Sequence, residues 1–178
     1  FGARVERAFS DPRSHVRIED AKAFFAQRQS VYDVIISEPS NPWVSGVSSL
    51  FTAEFYARVR QHLDNDGVLV QWIHYYEIND EIVYSILKAM EPHFSDIAVY
   101  HFGQEDGAIV ARKSGALGEP DFDRLFASEL GAELRRAGMA GAADARYARI
   151  GGSAWLAGRI RESRAPANSD YYPYVDRE

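Results

Sequence analysis

The chain has 178 residues, one domain's worth, with 20 Lys and Arg against 26 Asp and Glu and a formal net charge of −6. That balance argues against non-specific nucleic-acid binding, which needs a basic face to neutralise phosphates, while 46% hydrophobic and 13% aromatic residues suffice for a packed core. The absence of cysteine removes thiolate nucleophiles, zinc–thiolate sites, iron–sulfur clusters and disulfides, and it suits a reducing compartment.

No apolar run approaches the roughly 20 residues of a membrane helix. Residues 1–7 carry neither a signal-peptide stretch nor an initiating Met, which suggests a piece of something longer. His15-Val-Arg-Ile-Glu19 alternates weakly and reads as a short strand with Val16 and Ile18 on one face. Asp20 is placed to cap a helix over residues 21–27. Tyr32-Asp-Val-Ile-Ile-Ser37 is a compact β-branched run, the pattern of a strand covered on both faces. Glu38-Pro-Ser-Asn-Pro-Trp-Val-Ser-Gly46 must be a loop.

Thr52 can cap the next helix, with Glu54 in its first turn and Phe55, Tyr56, Val59 and Leu63 as its apolar stripe; Asn65-Asp-Gly67 stops it. Residues 67–73 read as a second buried strand. Asn79 caps a third helix whose Ile82, Val83, Ile86, Leu87 and Met90 face inward. Residues 96–102 and 107–112 are two more strands, close enough in sequence for an antiparallel hairpin. The order β-α-β-loop-α-β-α-β-β predicts an α/β fold, a mainly parallel sheet between helices with an antiparallel pair at one edge. After Lys113 the composition shifts to Ala, Gly and Arg. Residues 1–113 therefore read as the α/β domain, and residues 114–178 as a helical and extended extension packing on it.

In open α/β sheets ligands lodge beyond the carboxyl ends of the strands. The loop after the second strand is the most informative such place, because its prolines stiffen it while Glu38 and Asn41 supply polar groups. Glu38 could act as general base for an amine or as counter-charge for a cation; it could equally cap a turn, with Trp43 filling a groove. Asp20 is explained by capping, and as a ligand residue it would accept from an adenine amino group or a ribose hydroxyl. His15, His62, His74, His93 and His101 show no metal-ligand spacing, so no metal is expected. Ser45, Ser48 and Ser49 sit in no Gly-x-Ser-x-Gly elbow, and no Gly-x-Gly-x-x-Gly occurs. Asn168-Ser-Asp-Tyr-Tyr-Pro173 reads as a lid or as a tail pinned by tyrosines.

The segment Tyr32-Asp-Val-Ile-Ile-Ser-Glu-Pro-Ser-Asn-Pro42 resembles the centre of the spermidine synthase (polyamine aminopropyltransferase) family, where such a strand runs into an Asp-Ser-Ser-Asp-Pro loop. Asp11-Pro-Arg-Ser-His-Val-Arg-Ile-Glu-Asp20, Leu50-Phe-Thr-Ala-Glu-Phe-Tyr56 and Asp66-Gly-Val-Leu-Val70 resemble its flanking parts, and the tail is similar to the end of longer, membrane-fused relatives. The resemblance implies a Rossmann-like, methyltransferase-type sheet. It also implies an aminopropyl transfer from decarboxylated S-adenosylmethionine, a co-substrate rather than a tightly held cofactor, to a polyamine such as putrescine. By the same resemblance Glu38 is base or amine anchor, Asn41, Trp72 and Phe102 shape the amine pocket, and Asp20, Ala21 and Ser37 contact the nucleoside. Localisation is then cytoplasmic, or in the cytoplasmic part of a membrane protein.

The departures are informative. Glu38 and Asn41 replace the family's two loop aspartates. Its glutamine after the next strand aligns with Trp72, with Gln71 one residue early and so on the opposite face. The glycine-rich loop and the acid closing the following strand are missing, so N-terminal strands are expected to be absent and this piece inactive alone. An open edge on the Tyr32–Ser37 strand should result, covered by a preceding half of the protein or by a second copy. A non-catalytic polyamine- or nucleoside-binding module is the second reading, and a methyltransferase using S-adenosylmethionine the third.

Overall fold

A computed structural model describes residues 2–42, 44, 46–76, 78–103 and 105–177; Trp43 and Ser45 lie outside the described residues. Helix α1 (Gly2–Ser10) leads to α2 (Ala21–Gln27) and strand β1 (Tyr32–Ser37). Then come α3 (Ala53–Gln61), β2 (Leu63–His74), α4 (Asp80–Met90), β3 (Asp96–Phe102) and β4 (Asp106–Arg112). The C-terminal stretch forms α5 (Phe122–Ala127), α6 (Glu129–Arg136), α7 (Ala142–Tyr147), β5 (Arg149–Gly152) and α8 (Ser153–Glu162).

The three caps expected from sequence are formed. Asp20 accepts from the Ala23 N–H, Thr52 from Phe55 and Asn79 from Ile82, each satisfying a donor that the helix itself leaves free.

The five strands form one sheet in the order β1-β2-β4-β3-β5. β1 and β2 are parallel, while β4 runs antiparallel to both β2 and β3, and β5 antiparallel to β3. Strands β1, β2 and β3 therefore share one direction, each entered through a helix, as expected for an α/β fold. The sheet is nevertheless mixed rather than mainly parallel. The β3–β4 hairpin folds back so that β4 lies between β2 and β3, which replaces one parallel pairing by two antiparallel ones.

Residues 15–19 do not form the strand expected of them. Val16 is 59% and Ile18 fully exposed, and no described strand runs beside them. An extended segment becomes a strand only when a neighbour takes up its backbone groups. The open edge is present: among the described residues β1 pairs with β2 alone, and Val34 (54%) and Ile36 (68%) are exposed on it.

Successive residues on a strand face opposite ways, so the sheet has two different faces. On one face Leu69 and Ile73 pack with Phe55, Tyr56 and Val59 of α3 and Ile82, Ile86 and Met90 of α4 in a single buried core. Leu156 and Ile160 of α8 and Val175 join that core, so the C-terminal stretch supplies part of it as well as the edge strand β5. The other face carries Val70, Trp72, Tyr100, Phe102 and Val110, with residues of the α5–α7 region standing over it.

Candidate functional site

The carboxyl end of β1 is fixed from below. Gln71 is fully buried, and its Nε2 donates to the carbonyl oxygens of Ser37 (3.3 Å) and Trp72 (3.2 Å) while its Oε1 accepts from the Tyr56 hydroxyl at 3.4 Å. Burial pushes the Tyr56 phenol well above its ordinary range, which keeps it protonated and donating. Gln71 thus faces the core and Trp72 the opposite side, the arrangement the one-residue offset predicts. Its amide holds the strand end from which Glu38 leaves.

Glu38 stands between two hollows. On one side is a cavity of about 520 Å³ whose walls include Trp72, Tyr100 and Phe102 from the sheet and Phe122 and Met139 from the extension. On the other is a cleft of about 250 Å³ lined by Ala21 and Phe25 of α2, Ser37, Pro39, Leu50 and Phe55. Glu38 and Ile36 line both. The expected site residues therefore divide: Trp72 and Phe102 in the wide cavity, Ala21 and Ser37 in the narrow cleft, Glu38 at their boundary.

Asp20 and Asn41 line neither hollow. Asp20 spends Oδ1 on the Ala23 N–H at 2.8 Å, beside Ala21. Asn41 accepts the Tyr76 hydroxyl on its Oδ1 at 2.7 Å, which ties the loop to the residues following β2. Trp72, His74 and Tyr76 form a run of rings along one side of β2, with centroids 3.8 Å and 4.8 Å apart, and His74 pairs with Asp106 at 2.9 Å.

The tail is neither a lid nor pinned by its tyrosines. Tyr171 and Tyr172 are exposed (80% and 71%), and the polar residues before them make the attachment. Fully buried Asn168 donates to the carbonyls of Ser48 and Phe51 and accepts from the N–H of Tyr174. Asp170 takes Lys22 Nζ at 2.7 Å and the Thr52 hydroxyl at 2.9 Å. The tail thereby ties the α2 start to the α3 start, which flank the narrow cleft.

Sequence reasoning points to residues 71–76 as a place for a ligand but assigns Tyr76 no role, and it missed Tyr100 and the extension's share of the cavity wall. Alternation alone points to the two tyrosines, which continue the faces of Trp72 and Phe102. Phe122 and Met139 carry no local signal, since a contact between distant segments is not written in either one. Among the described residues no group of three or more His, Asp or Glu could hold a metal ion, and no helix is long and apolar enough to cross a membrane.

With this geometry established, comparison with known proteins identifies relatives. The model of the spermine/spermidine synthase domain matches residues 2–103. The polyamine aminopropyltransferase of Pyrobaculum aerophilum is 33% identical over 97 residues, which cover 52% of this chain and 33% of that protein. The chain thus spans about a third of the length of that curated relative. Among solved structures, a probable spermidine synthase from Corynebacterium glutamicum superposes with a TM-score of 0.61 at 19% identity, covering 94% of this chain and 60% of that one. A spermidine synthase in complex with the transition state analogue AdoDATO gives 0.58 at 23% identity, covering 77% and 51%. At these identities the two structures speak to the fold, which is the spermidine synthase and methyltransferase type of α/β sheet.

Proposed function

This chain belongs to the spermine/spermidine synthase family, and from that premise we propose that it forms the acceptor-side part of an aminopropyltransferase site. The observation that carries the reading is Glu38, among the described residues the one carboxylate lining both hollows. In this reading decarboxylated S-adenosylmethionine lies toward the narrow cleft, against Ala21, Ser37 and Pro39, with Asp20 at its adenine end. An amine of the polyamine class enters the wide cavity between Trp72 and Phe102.

Glu38 takes a proton from the acceptor ammonium, and the freed nitrogen lone pair attacks the methylene carbon beside the sulfonium. The carbon–sulfur bond breaks with its electron pair on sulfur, and neutral methylthioadenosine leaves. Because the sulfonium is already a good leaving group, most of the catalysis is positioning. Gln71 sets the strand end, and the Tyr76–Asn41 hydrogen bond anchors the loop. We read the open β1 edge as covered, in the working protein, by more of the same protein, in keeping with the greater length of its relatives, and the site as cytoplasmic.

The replacement of the family's second loop acid by Asn41, occupied by Tyr76, favours one other reading, an amine- or nucleoside-binding module without turnover. Methylthioadenosine release by the full-length protein separates the two. Transfer predicts release that falls about a hundredfold or more in Glu38→Ala. An unchanged rate removes Glu38 from the mechanism, and calorimetric binding without release supports the binding module.

A further inference from the structure

The alternation of β4 places a second carboxylate on the face of the sheet that carries the wide cavity. Residues 106, 108 and 110 point the same way, and Ala108 and Val110 belong to the cavity wall. Asp106 is paired in register with His74 of β2 on one side and on the other with Phe102 of β3, itself in the wall. It therefore stands one row beyond Trp72, Ala108 and Tyr100, toward the carboxyl ends of β2 and β3. His74 Nδ1 meets Asp106 Oδ1 at 2.9 Å, and about half of the Asp106 side chain stays exposed (49%). A neutral imidazole donating from Nδ1 orients a carboxylate and leaves it its charge. His74 is set in turn by Trp72, edge-on with centroids 3.8 Å apart, and by Tyr76 at 4.8 Å, and Tyr76 donates to Asn41. A run of contacts thus joins the neutral loop position, Asn41, to a strand position that carries a charge, Asp106.

The spacing suits a linear dication. Ile36 is level with Val70, so Glu38, two residues on, comes level with Trp72, and β2 separates it from β4. With about 4.8 Å between strands and about 3.3 Å per residue along them, the backbone positions of Glu38 and Asp106 are about 12 Å apart. A charged hydrogen bond of about 3 Å at each end leaves about 6 Å between two nitrogens, the span of an extended four-carbon diamine. Trp72 and Phe102 lie along that line and offer ring surface to the methylene chain.

We propose that Asp106 is the far anchor of the acceptor: Glu38 receives the reacting nitrogen, and Asp106 holds the ammonium at the other end of a diamine or longer polyamine. This rests on the reading of Glu38 as the group that receives the acceptor nitrogen. It adds the residue that distinguishes a doubly charged acceptor from a singly charged one.

The test is calorimetric titration of the full-length protein with putrescine and with n-butylamine, which has the same carbon chain and one ammonium. Putrescine should bind about tenfold more tightly. Asp106→Asn, a nearly isosteric change on a half-exposed residue, should bring putrescine down to the affinity of butylamine and leave butylamine binding unchanged. Asp121→Asn removes a carboxylate between the wall residues Pro120 and Phe122 while keeping an acceptor for the Arg124 N–H, and it should change neither. Equal binding of the two amines by the native protein, or a loss of putrescine affinity under about threefold in Asp106→Asn, overturns the proposal. So does an equal loss for both amines, which marks Asp106 as structural, or a loss that falls on Asp121→Asn instead. Failure of the transferase reading looks different: no methylthioadenosine release, with the preference for putrescine and its loss in Asp106→Asn intact, refutes the transfer and keeps the anchor. Conversely, release with putrescine at the same kcat/KM in Asp106→Asn as in the native protein refutes the anchor and keeps the transfer.

Discussion

At Gln71 a long polar side chain is fully buried among Leu69, Ile73 and the aromatic face of α3, a position where a leucine would pack more simply. Its amide is engaged at both ends, by the Tyr56 hydroxyl on the oxygen and by two carbonyls on the nitrogen. A buried donor left without a partner costs about 1–3 kcal/mol, whereas removing both partners together is nearly neutral. Gln71→Leu should accordingly destabilise the protein by about 2 kcal/mol in urea unfolding, and adding Tyr56→Phe should restore about 1 kcal/mol of it. A double variant no more stable than the single one would show that the Tyr56 hydrogen bond contributes nothing. Because Gln71 also holds the Ser37 carbonyl, both variants should lose transfer activity even where stability returns, which separates positioning of Glu38 from packing.

Secondary-structure elements with local causes were legible in the sequence. Asp20, Thr52 and Asn79 announce helix starts through a side-chain acceptor placed before an apolar stripe, and each makes the expected bond. The two inner caps should differ in cost. Asn79→Ala removes a cap from a partly open helix end and should cost about 1 kcal/mol. The Thr52 hydroxyl is buried and meets Asp170 besides capping Phe55, so Thr52→Val should cost about 2 kcal/mol by the same urea titration. A cost for Thr52→Val no larger than the roughly 1 kcal/mol of an ordinary cap would mean that its bonds to Asp170 and the Ser49 carbonyl add nothing. Elements that exist only through distant partners were not legible. Residues 15–19 have strand character but no neighbour, whereas Arg149–Gly152, half glycine, becomes β5 because the edge of β3 is available to it. The site divides the same way. Glu38 follows from a stiff loop at a strand end, and Trp72 from alternation, but the cavity above them needs α5–α7 to fold back over the sheet.

Across the molecule, the C-terminal stretch is held to the α/β part by three carboxylates. Glu54 takes the Ser169 hydroxyl and the Asp170 N–H; Glu81 takes the Ser163 hydroxyl and the Ala165 N–H; Asp96 takes the Ser153 hydroxyl and the Leu117 N–H. Lys88 adds two bonds to the carbonyls of Ser163 and Ala165. All three carboxyls sit below their ordinary values. Burial works to raise Glu54 but is outweighed by the N–H and hydroxyl donors, while for Glu81 and Asp96 the serine hydroxyl is the main cause of the lowering. A carboxyl whose pKa is lower folded than unfolded stabilises fully above the unfolded value, 4.5 for Glu and 3.8 for Asp, and loses that contribution as pH falls through the folded one. Acid should therefore loosen the extension first, since the described side chains that cluster in the core between β2, α3 and α4 are hydrophobic. Pepsin at about pH 3 should make its earliest cuts between residues 114 and 178 and spare residues 63–112 for longer, because proteolysis follows the most easily opened segment. Glu81→Gln, which keeps an acceptor but does not titrate, should make the onset of those cuts less steep in pH. First cuts inside β2 or α4 would mean that the extension is not the acid-sensitive part. In that case the wall that Phe122 and Met139 lend to the wide cavity would be as durable as the sheet it faces.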